Sequence, residues 1–308
     1  MITGDKNIFK EGTSARERFL LQQAQVDDLR AIYWGLDSLA IPSAKGFDVV
    51  TAQDPVWRGL VARRAARKAG AKLQIQIHTD LFSPEVASWA RWIALHGVLP
   101  YADTIRVVSE KAKRQLLERG VTAPISVLPI FVDTEKARAA PAADKSSFTQ
   151  FSKIILVVAR LEPEKEVGTA IRIMQKVLAA EPKAGMLIAG SGSKLEALRR
   201  LARDLSIEKN VIFLGFKDDL YGLYKIADCL LVTSRFESFG ASIVEALAAG
   251  CPVVAPDVGV AKEAGANVVE RAALAAEAVR VLQNNERGEL RLSLLTKEAW
   301  AQQWKNTL

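Results

Sequence analysis

Residues 234–259 read SRFESFGASIVEALAAGCPVVAPDVG. The run from Cys229 to Thr233 just before them is apolar and compact, as a strand requires. Phe239 to Ala249 then carries helical periodicity. Gly250 stands where a left-handed C-terminal cap needs glycine, and Pro252 prevents the helix from continuing. Val253 to Ala255 is short and β-branched, the pattern of a buried parallel strand. The whole reads as one strand–helix–strand unit, with Glu237 at the carboxyl end of the first strand and Glu245 inside the helix. Open α/β sheets bind ligands at that edge. The helix amides that open near Phe239 and Gly240 add a partial positive charge suited to an anion.

Outward from this unit the same alternation continues. Upstream lie an apolar strand at 154–159, a helix at 168–180, a strand at 186–189 followed by Gly190-Ser191-Gly192, a helix capped by Ser193 and Glu196, and a strand at 211–214. Downstream of Val269 two helices remain, and the last carries Trp300 and Trp304 at i and i+4, on one face. The first half offers a short strand at 1–4, a capping box at Ser14 and Glu17, and strands at 29–34, 47–53, 72–77, 104–108 and 125–128. Its helices start at Asp54-Pro55, at Ser83-Pro84-Glu85 and at Ser109, and stop by Gly70, Gly97 and Gly120. Residues 129–152 have the Ala, Pro, Asp, Lys and Ser content of a linker. The fold class is therefore α/β, with two Rossmann-like doubly wound parallel sheets at 1–148 and 149–308.

Composition agrees with two domains. A chain of 308 residues exceeds what one hydrophobic core usually serves, and 49% apolar with 25% charged residues is ordinary for a globular protein. No apolar run approaches the ~18 residues of a membrane span. Asp5, Lys6 and Lys10 interrupt any signal-peptide core, so the reading is cytoplasmic. Cys229 and Cys251 sit in or beside strands and read as small buried side chains, with no disulfide framework. The net charge of +7 suits anionic partners. No zinc-ligand spacing or basic–aromatic interleaving is present, so nucleic acid is not expected.

Glu237 and Glu245, with seven residues between them in ESFG…E…GCPVVAPDVG, resemble the signature of retaining glycosyltransferases of family 4, which have the GT-B fold. The resemblance spans most of the chain and is strongest from Lys153 to Gly259. It implies two domains facing a cleft, the acceptor on the first and a nucleotide sugar on the second. It also implies a final helix that crosses back to the first domain. Departures are visible. PIFVD stands where many relatives have PNGVD, Glu166 where they have Gly or Asn, and Ala241 where a larger apolar residue is common. The first domain looks compact at its start, as if a few N-terminal residues were missing.

The resemblance assigns roles to matching positions. Arg160 and Lys165 in RLEPEK correspond to the pair that holds the donor diphosphate, helped by the backbone at Phe239 and Gly240. The physical logic stands alone, because a departing diphosphate gains negative charge that fixed cations stabilise. Glu237 corresponds to the glutamate near the anomeric carbon, and Glu245 to the one that binds ribose. Gly190 and Gly192 form a tight turn near the nucleotide. They do not form a dinucleotide fingerprint, since Leu195 replaces the third glycine. Phe216 and Lys217 fall beside the nucleobase. His78, at a strand's carboxyl end, matches the histidine close to the transferred sugar, with Asp80 as its orienting partner. Gln53, Asp54 and Ser109 end or follow first-domain strands and are acceptor-side candidates. His96 reads as structural, and Asp218-Asp219 as acids favoured ahead of a helix. The family uses no essential metal, so none is expected, nor any cofactor beyond the donor substrate.

The expected activity is hexose transfer, with retention, to a glycan or lipid-linked acceptor in envelope polysaccharide or glycolipid synthesis. The alternative is an inactive nucleotide-sugar-binding or scaffold subunit, with a GT-B epimerase as a lesser enzyme reading. The helix after Asp54 carries Arg58, Arg63, Arg64, Arg67 and Lys68 with Trp57. That is either a solvated face or a patch that meets anionic lipid at the inner leaflet or a phosphate-bearing acceptor.

Overall fold

The computed structural model describes the whole chain except Leu36, Asp37, Leu39 and Glu85. It divides into two compact units, Met1–Phe131 with Leu295–Leu308, and Val132–Leu294.

The first unit contains β1 (Ile2–Thr3), β2 (Ile32–Tyr33), β3 (Val49–Ala52), β4 (Lys72–Ile77), β5 (Thr104–Val107) and β6 (Ile125–Val127). These pair in parallel in the order β2-β1-β3-β4-β5-β6. The helices are α1 (Ser14–Gln23), α2 (Trp57–Ala69), α3 (Ser88–Trp92) and α4 (Glu110–Leu117). Strand alternation splits the sheet into two chemically different faces. Leu73, Ile75, Ile77, Ile105 and Val107 join Ala62, Val98 and Leu99 in an apolar core. The opposite face presents Thr51, Gln74, Gln76 and Arg106, all buried.

The second unit contains β7 (Lys153–Val158), β8 (Ala184–Ala189), β9 (Val211–Gly215), β10 (Cys229–Leu231), β11 (Val253–Ala255) and β12 (Asn267–Val268). Its parallel order is β12-β11-β10-β7-β8-β9. The helices are α5 (Thr134–Ala139), α6 (Val167–Ala180), α7 (Leu195–Asp204), α8 (Tyr221–Ile226), α9 (Ala241–Ala248), α10 (Ala261–Ala264) and α11 (Leu274–Asn284). Ile155, Met186 and Ile188 of the sheet pack with Ile171 and Met174 of α6 and Val281 and Leu282 of α11. Gly250 has φ 86°, the left-handed value its cap position requires. Cys229 and Cys251 are free and buried, and burial pushes the Cys229 thiol up to about 12 and Cys251 well above its usual range.

The chain winds outward through β7, β8 and β9, then returns to place β10 on the other side of β7. The carboxyl ends of β7 and β10 therefore flank the topological switch point, where such sheets bind ligands.

The last helix, α12 (Lys297–Asn306), belongs to the first unit. Trp300 and Trp304 are both buried there with Leu128, and the Trp300 indole donates to the Pro129 carbonyl at 2.8 Å.

Some local details differ from the sequence reading. The division falls after Phe131, not at 148/149, because α5 and the segment after it attach to the second unit. Ala137 is fully buried, the Ala143 amide donates to the Gly222 carbonyl, and Lys225 donates to the Arg138 carbonyl. Thr13, not Ser14, caps α1, and its hydroxyl accepts from the Arg16 amide. Asp54 does not cap α2 directly; it accepts from the Val56 amide and pairs with Arg58 at 2.8 Å. Ser193 is drawn to Glu162, so α7 starts behind Lys194 instead. The helix expected from Ser83-Pro84-Glu85 has its described start at Ser88 and ends as a wider π turn at 93–98; Glu85 lies outside the described residues. No described helix is long and apolar enough to cross a membrane.

Candidate active site

In the second unit, the candidate donor residues gather at the carboxyl edge of the sheet. Arg160 and Lys165 follow β7, and Glu237 follows β10, so they stand on the two sides of the switch point. The Lys165 ammonium meets the Glu237 carboxylate at 2.6 Å, and the Ser234 hydroxyl donates to the same oxygen at 2.8 Å. Both charged side chains are largely sheltered, at 14% and 20% exposure, where an ion pair is screened less than on the surface. Arg160 is open to solvent and pairs with Glu164 at 2.7 Å.

The turn that carries Lys165 is fixed by Glu166, Arg235 and Arg271, of which only Glu166 stood out in the sequence. Glu166 has φ 47° and ψ 39°, a left-handed conformation that Gly or Asn would adopt more cheaply. Its carboxylate is held by Arg235 and by Arg271, each at 2.6 Å. Arg271 also donates to the carbonyls of Thr233 and Ser234, and the Thr233 hydroxyl donates to those of Lys165 and Glu166. One guanidinium thereby ties the loop after β7 to the loop after β10. The signal available in sequence was Glu166 itself, a non-glycine at a position the resemblance marks as Gly or Asn.

Glu245 lies in α9, where the Tyr224 hydroxyl donates to it at 3.0 Å. Tyr224 is fully buried, and burial together with the Glu245 charge raises its hydroxyl well above the usual range. It therefore stays a donor and holds the carboxylate in place. Phe239 has its side chain in the core, so only its backbone is available to a ligand. The first amides of α9, behind Gly240, lack acceptors within the helix.

Gly190 and Gly192 are required by close packing. A Cβ at Gly190 would lie 1.8 Å from the Ala159 carbonyl oxygen, and one at Gly192 would lie 2.5 Å from that of Leu161. The Gly190–Gly192 turn is thus pressed onto the segment that carries Arg160. Phe216, just past β9, is 61% exposed, with Lys217 beside it.

In the first unit, His78 stands at the end of β4 with its Nε2 3.2 Å from the Gln76 Oε1 and 3.4 Å from the Arg106 Nη2. Burial first, then the nearby charges of Arg106 and Arg18, push its pKa down to about 3, so the ring is neutral at neutral pH. Asp80 does not orient it; its carboxylate accepts from the Phe82 amide in the following turn. Gln53 accepts from the Thr3 hydroxyl at 2.7 Å and lines the same cavity as His78. Asp54 and Ser109 are engaged in the turns that start α2 and α4. Among the described residues no three His, Cys, Asp or Glu side chains gather as a metal-ligand set.

The model of the family described as glycosyl transferases group 1 matches residues 142–289. A second, the glycosyl transferase 4-like domain, matches residues 13–130. The chain belongs to the group 1 glycosyltransferases. A similar protein is the GDP-mannose-dependent monoacylated alpha-(1-6)-phosphatidylinositol monomannoside mannosyltransferase of Corynebacterium glutamicum, 32% identical over 232 residues, 68% of this chain and 60% of that protein. The N-acetyl-alpha-D-glucosaminyl L-malate synthase of Bacillus anthracis is 31% identical over 111 residues, 36% of this chain and 29% of that one. The chain thus spans less than two thirds of the curated relatives it matches. Among solved structures, Anabaena HepE in complex with UDP and glucose aligns with TM-score 0.73 at 20% identity, covering 94% of this chain and 84% of that one. That likeness establishes the GT-B fold.

Proposed function

We propose that the protein moves a hexose from a nucleoside-diphosphate sugar to a glycan or lipid-linked acceptor, with retention at the anomeric carbon and without a protein-held metal ion. The observation that carries this reading is the sheltered Lys165–Glu237 pair at the switch point of the second sheet, with Glu245 held by Tyr224 in the adjoining helix. The anomeric C–O bond to the outer phosphate breaks as the acceptor oxygen bonds to the same face of the sugar. The acceptor proton passes to the departing phosphate oxygen. Arg160 and Lys165 stabilise the charge that collects on the diphosphate, and the Glu237 carboxylate offsets positive charge on the ring. Glu245 accepts hydrogen bonds from the ribose hydroxyls, and Phe216 and Lys217 flank the base. His78, neutral, offers a hydrogen bond to a substrate hydroxyl.

The acceptor side belongs to the first unit. Relatives whose names specify an acceptor act on anionic ones: a phosphatidylinositol monomannoside, L-malate, D-inositol 3-phosphate and poly(glycerol-phosphate). The basic helix α2 supports an added contact with anionic membrane on the cytoplasmic side. Arg64, Arg67 and Lys68 are exposed on it, and exposed Trp57 lies 5.7 Å from exposed Trp89. Binding to phosphatidylglycerol vesicles that weakens with salt, and is absent on phosphatidylcholine, is the expected result.

The decisive test is thermal stabilisation by UDP-glucose and GDP-mannose, followed by NMR of the product's anomeric centre. The expected outcome is a shift with one donor, lost in Glu245→Ala, then transfer with retention at a rate unchanged by chelator. An inverted product, or turnover that chelator abolishes, would refute the mechanism. Donor binding without turnover on any acceptor would favour the scaffold alternative.

A further inference from the structure

The polar face of the first sheet is a hydrogen-bonded ladder that ends in an unsatisfied cation. The Thr51 hydroxyl donates to Gln74 at 3.0 Å, the Gln76 amide donates to Thr51 at 2.8 Å, and Gln74 donates onward to the Thr307 carbonyl of the C-terminal segment. The ladder leaves the Gln76 carbonyl oxygen facing Arg106, whose Nη2 donates to it. Arg106 is only 3% exposed, and its Nη1 has no partner. Among the described residues no carboxylate forms an ion pair with it. Removing a guanidinium from water costs several kcal/mol unless an anion compensates.

Arg106 borders a partly open cavity of about 80 Å³ at the carboxyl edge of the sheet, with Asp5, Arg18, Gln22, Gln53 and His78 among its lining. Asp5 already accepts from the Asn7 amide. Gln22, 4% exposed, leaves a second polar atom, its Oε1, without a partner. The cavity has room for a group of a few heavy atoms. Guanidinium is matched in shape and charge to carboxylate and phosphate.

We propose that this cavity is a subsite for a compact oxyanion on the acceptor, a phosphate monoester or a carboxylate, bound by Arg106 with Gln22 turned toward the same group. The inference rests on the glycosyl-transfer reading for the word acceptor, and on Arg106 and its cavity for the anion. The Nη1 donor that Arg106 leaves unpaired then has an explanation, and turning the Gln22 amide over presents its NH2 to the same group in place of the acceptor Oε1. Burial lowers the Arg106 pKa to about 9, so it remains charged at neutral pH, and a bound oxyanion would raise both it and His78.

The test is thermal stabilisation of the full chain by inorganic phosphate and by succinate, against potassium chloride at matched ionic strength. The parent is compared with Arg106→Gln and with the donor-side variant Arg160→Ala. The expected result is a saturable shift that survives in Arg160→Ala and weakens at least tenfold in apparent affinity in Arg106→Gln. The His78 ring resonances should move on titration of the parent. Preference for phosphate identifies a phosphoryl acceptor, and preference for succinate a carboxylate one. Should Arg106→Gln fail to fold, Gln22→Met narrows the cavity without removing the charge and should weaken the same anion. A shift no larger than that of chloride, or one equal in parent and variants, would overturn the inference. UDP and GDP in the same experiment separate the two readings. Nucleotide binding without phosphate binding at Arg106 sinks this subsite alone, and the reverse sinks the donor assignment alone.

Discussion

Glu237 and Lys165 neutralise one another, so a donor that enters between them exchanges one charge partner for another. Glu237→Gln keeps the shape and removes the charge. Nucleotide stabilisation should persist while transfer falls by about 10²–10³, the usual effect of losing one group that acts on developing charge. Equal loss of nucleotide binding would show that Glu237 serves the ground state instead. His78 yields a second residue-scale prediction. Its folded pKa is about 3 and its unfolded value near 6.5. Between those limits the unfolded chain holds more protons, so stability rises with pH and is lost as pH falls from about 6.5 toward 3, by up to about 1.4 kcal/mol per unit. Urea unfolding of His78→Leu from pH 7 to 4.5 should show a flatter dependence than the parent.

At the scale of elements, the turn after β8 is held against the segment after β7 by two backbone bonds, Leu161 to Ser191 and Lys194 to Leu161, and against the end of β9 by a third, Gly190 to Gly215. Gly190→Ala drives a Cβ into the Ala159 carbonyl and should destabilise the second unit by more than 2 kcal/mol, a value on the order of those for other strained backbone sites. A melting temperature within a degree of the parent would contradict this. Strand positions were legible because buried parallel strands are apolar runs, as at 154–159. Caps were legible only to within a residue or two: Thr13 and Ser14 are chemically interchangeable until tertiary partners choose, and Ser193 is drawn away by Glu162, which leaves α7 without a side-chain cap. Glu166 stood out in the sequence as a departure, but its two arginine partners were illegible, because Arg235 and Arg271 are distant in sequence and an isolated arginine reads as surface. The polar face of the first sheet was illegible for a related reason. Gln74, Gln76 and Arg106 alternate with apolar residues as in a half-exposed strand, although all three are buried.

At the scale of the whole molecule, the chain carries two sheets of the same architecture with different edge chemistry. The second brings opposite charges together at its switch point, and the first collects positive charge around a small cavity. Hydrogen exchange should resolve the two. A nucleoside diphosphate should slow exchange in the loops after β7, β8, β9 and β10, and inorganic phosphate should slow it around His78 and Arg106. Protection spread evenly over the chain by either ligand would contradict separate sites. The order of strands was readable from the sequence only as a doubly wound class. The choice of β7 and β10 as neighbours became definite through the register that sets Cys229 beside Ile155.

The same pairing has a practical corollary. Both native thiols are buried in the second unit with pKa values far above neutrality, and the thiolate is the form that alkylating reagents attack. The native chain should therefore be silent to maleimide dyes. Cysteines introduced at exposed Glu11 and Lys209, one in each unit, would be the reactive pair, ready to carry a donor and an acceptor fluorophore without first stripping the protein of its own sulfur.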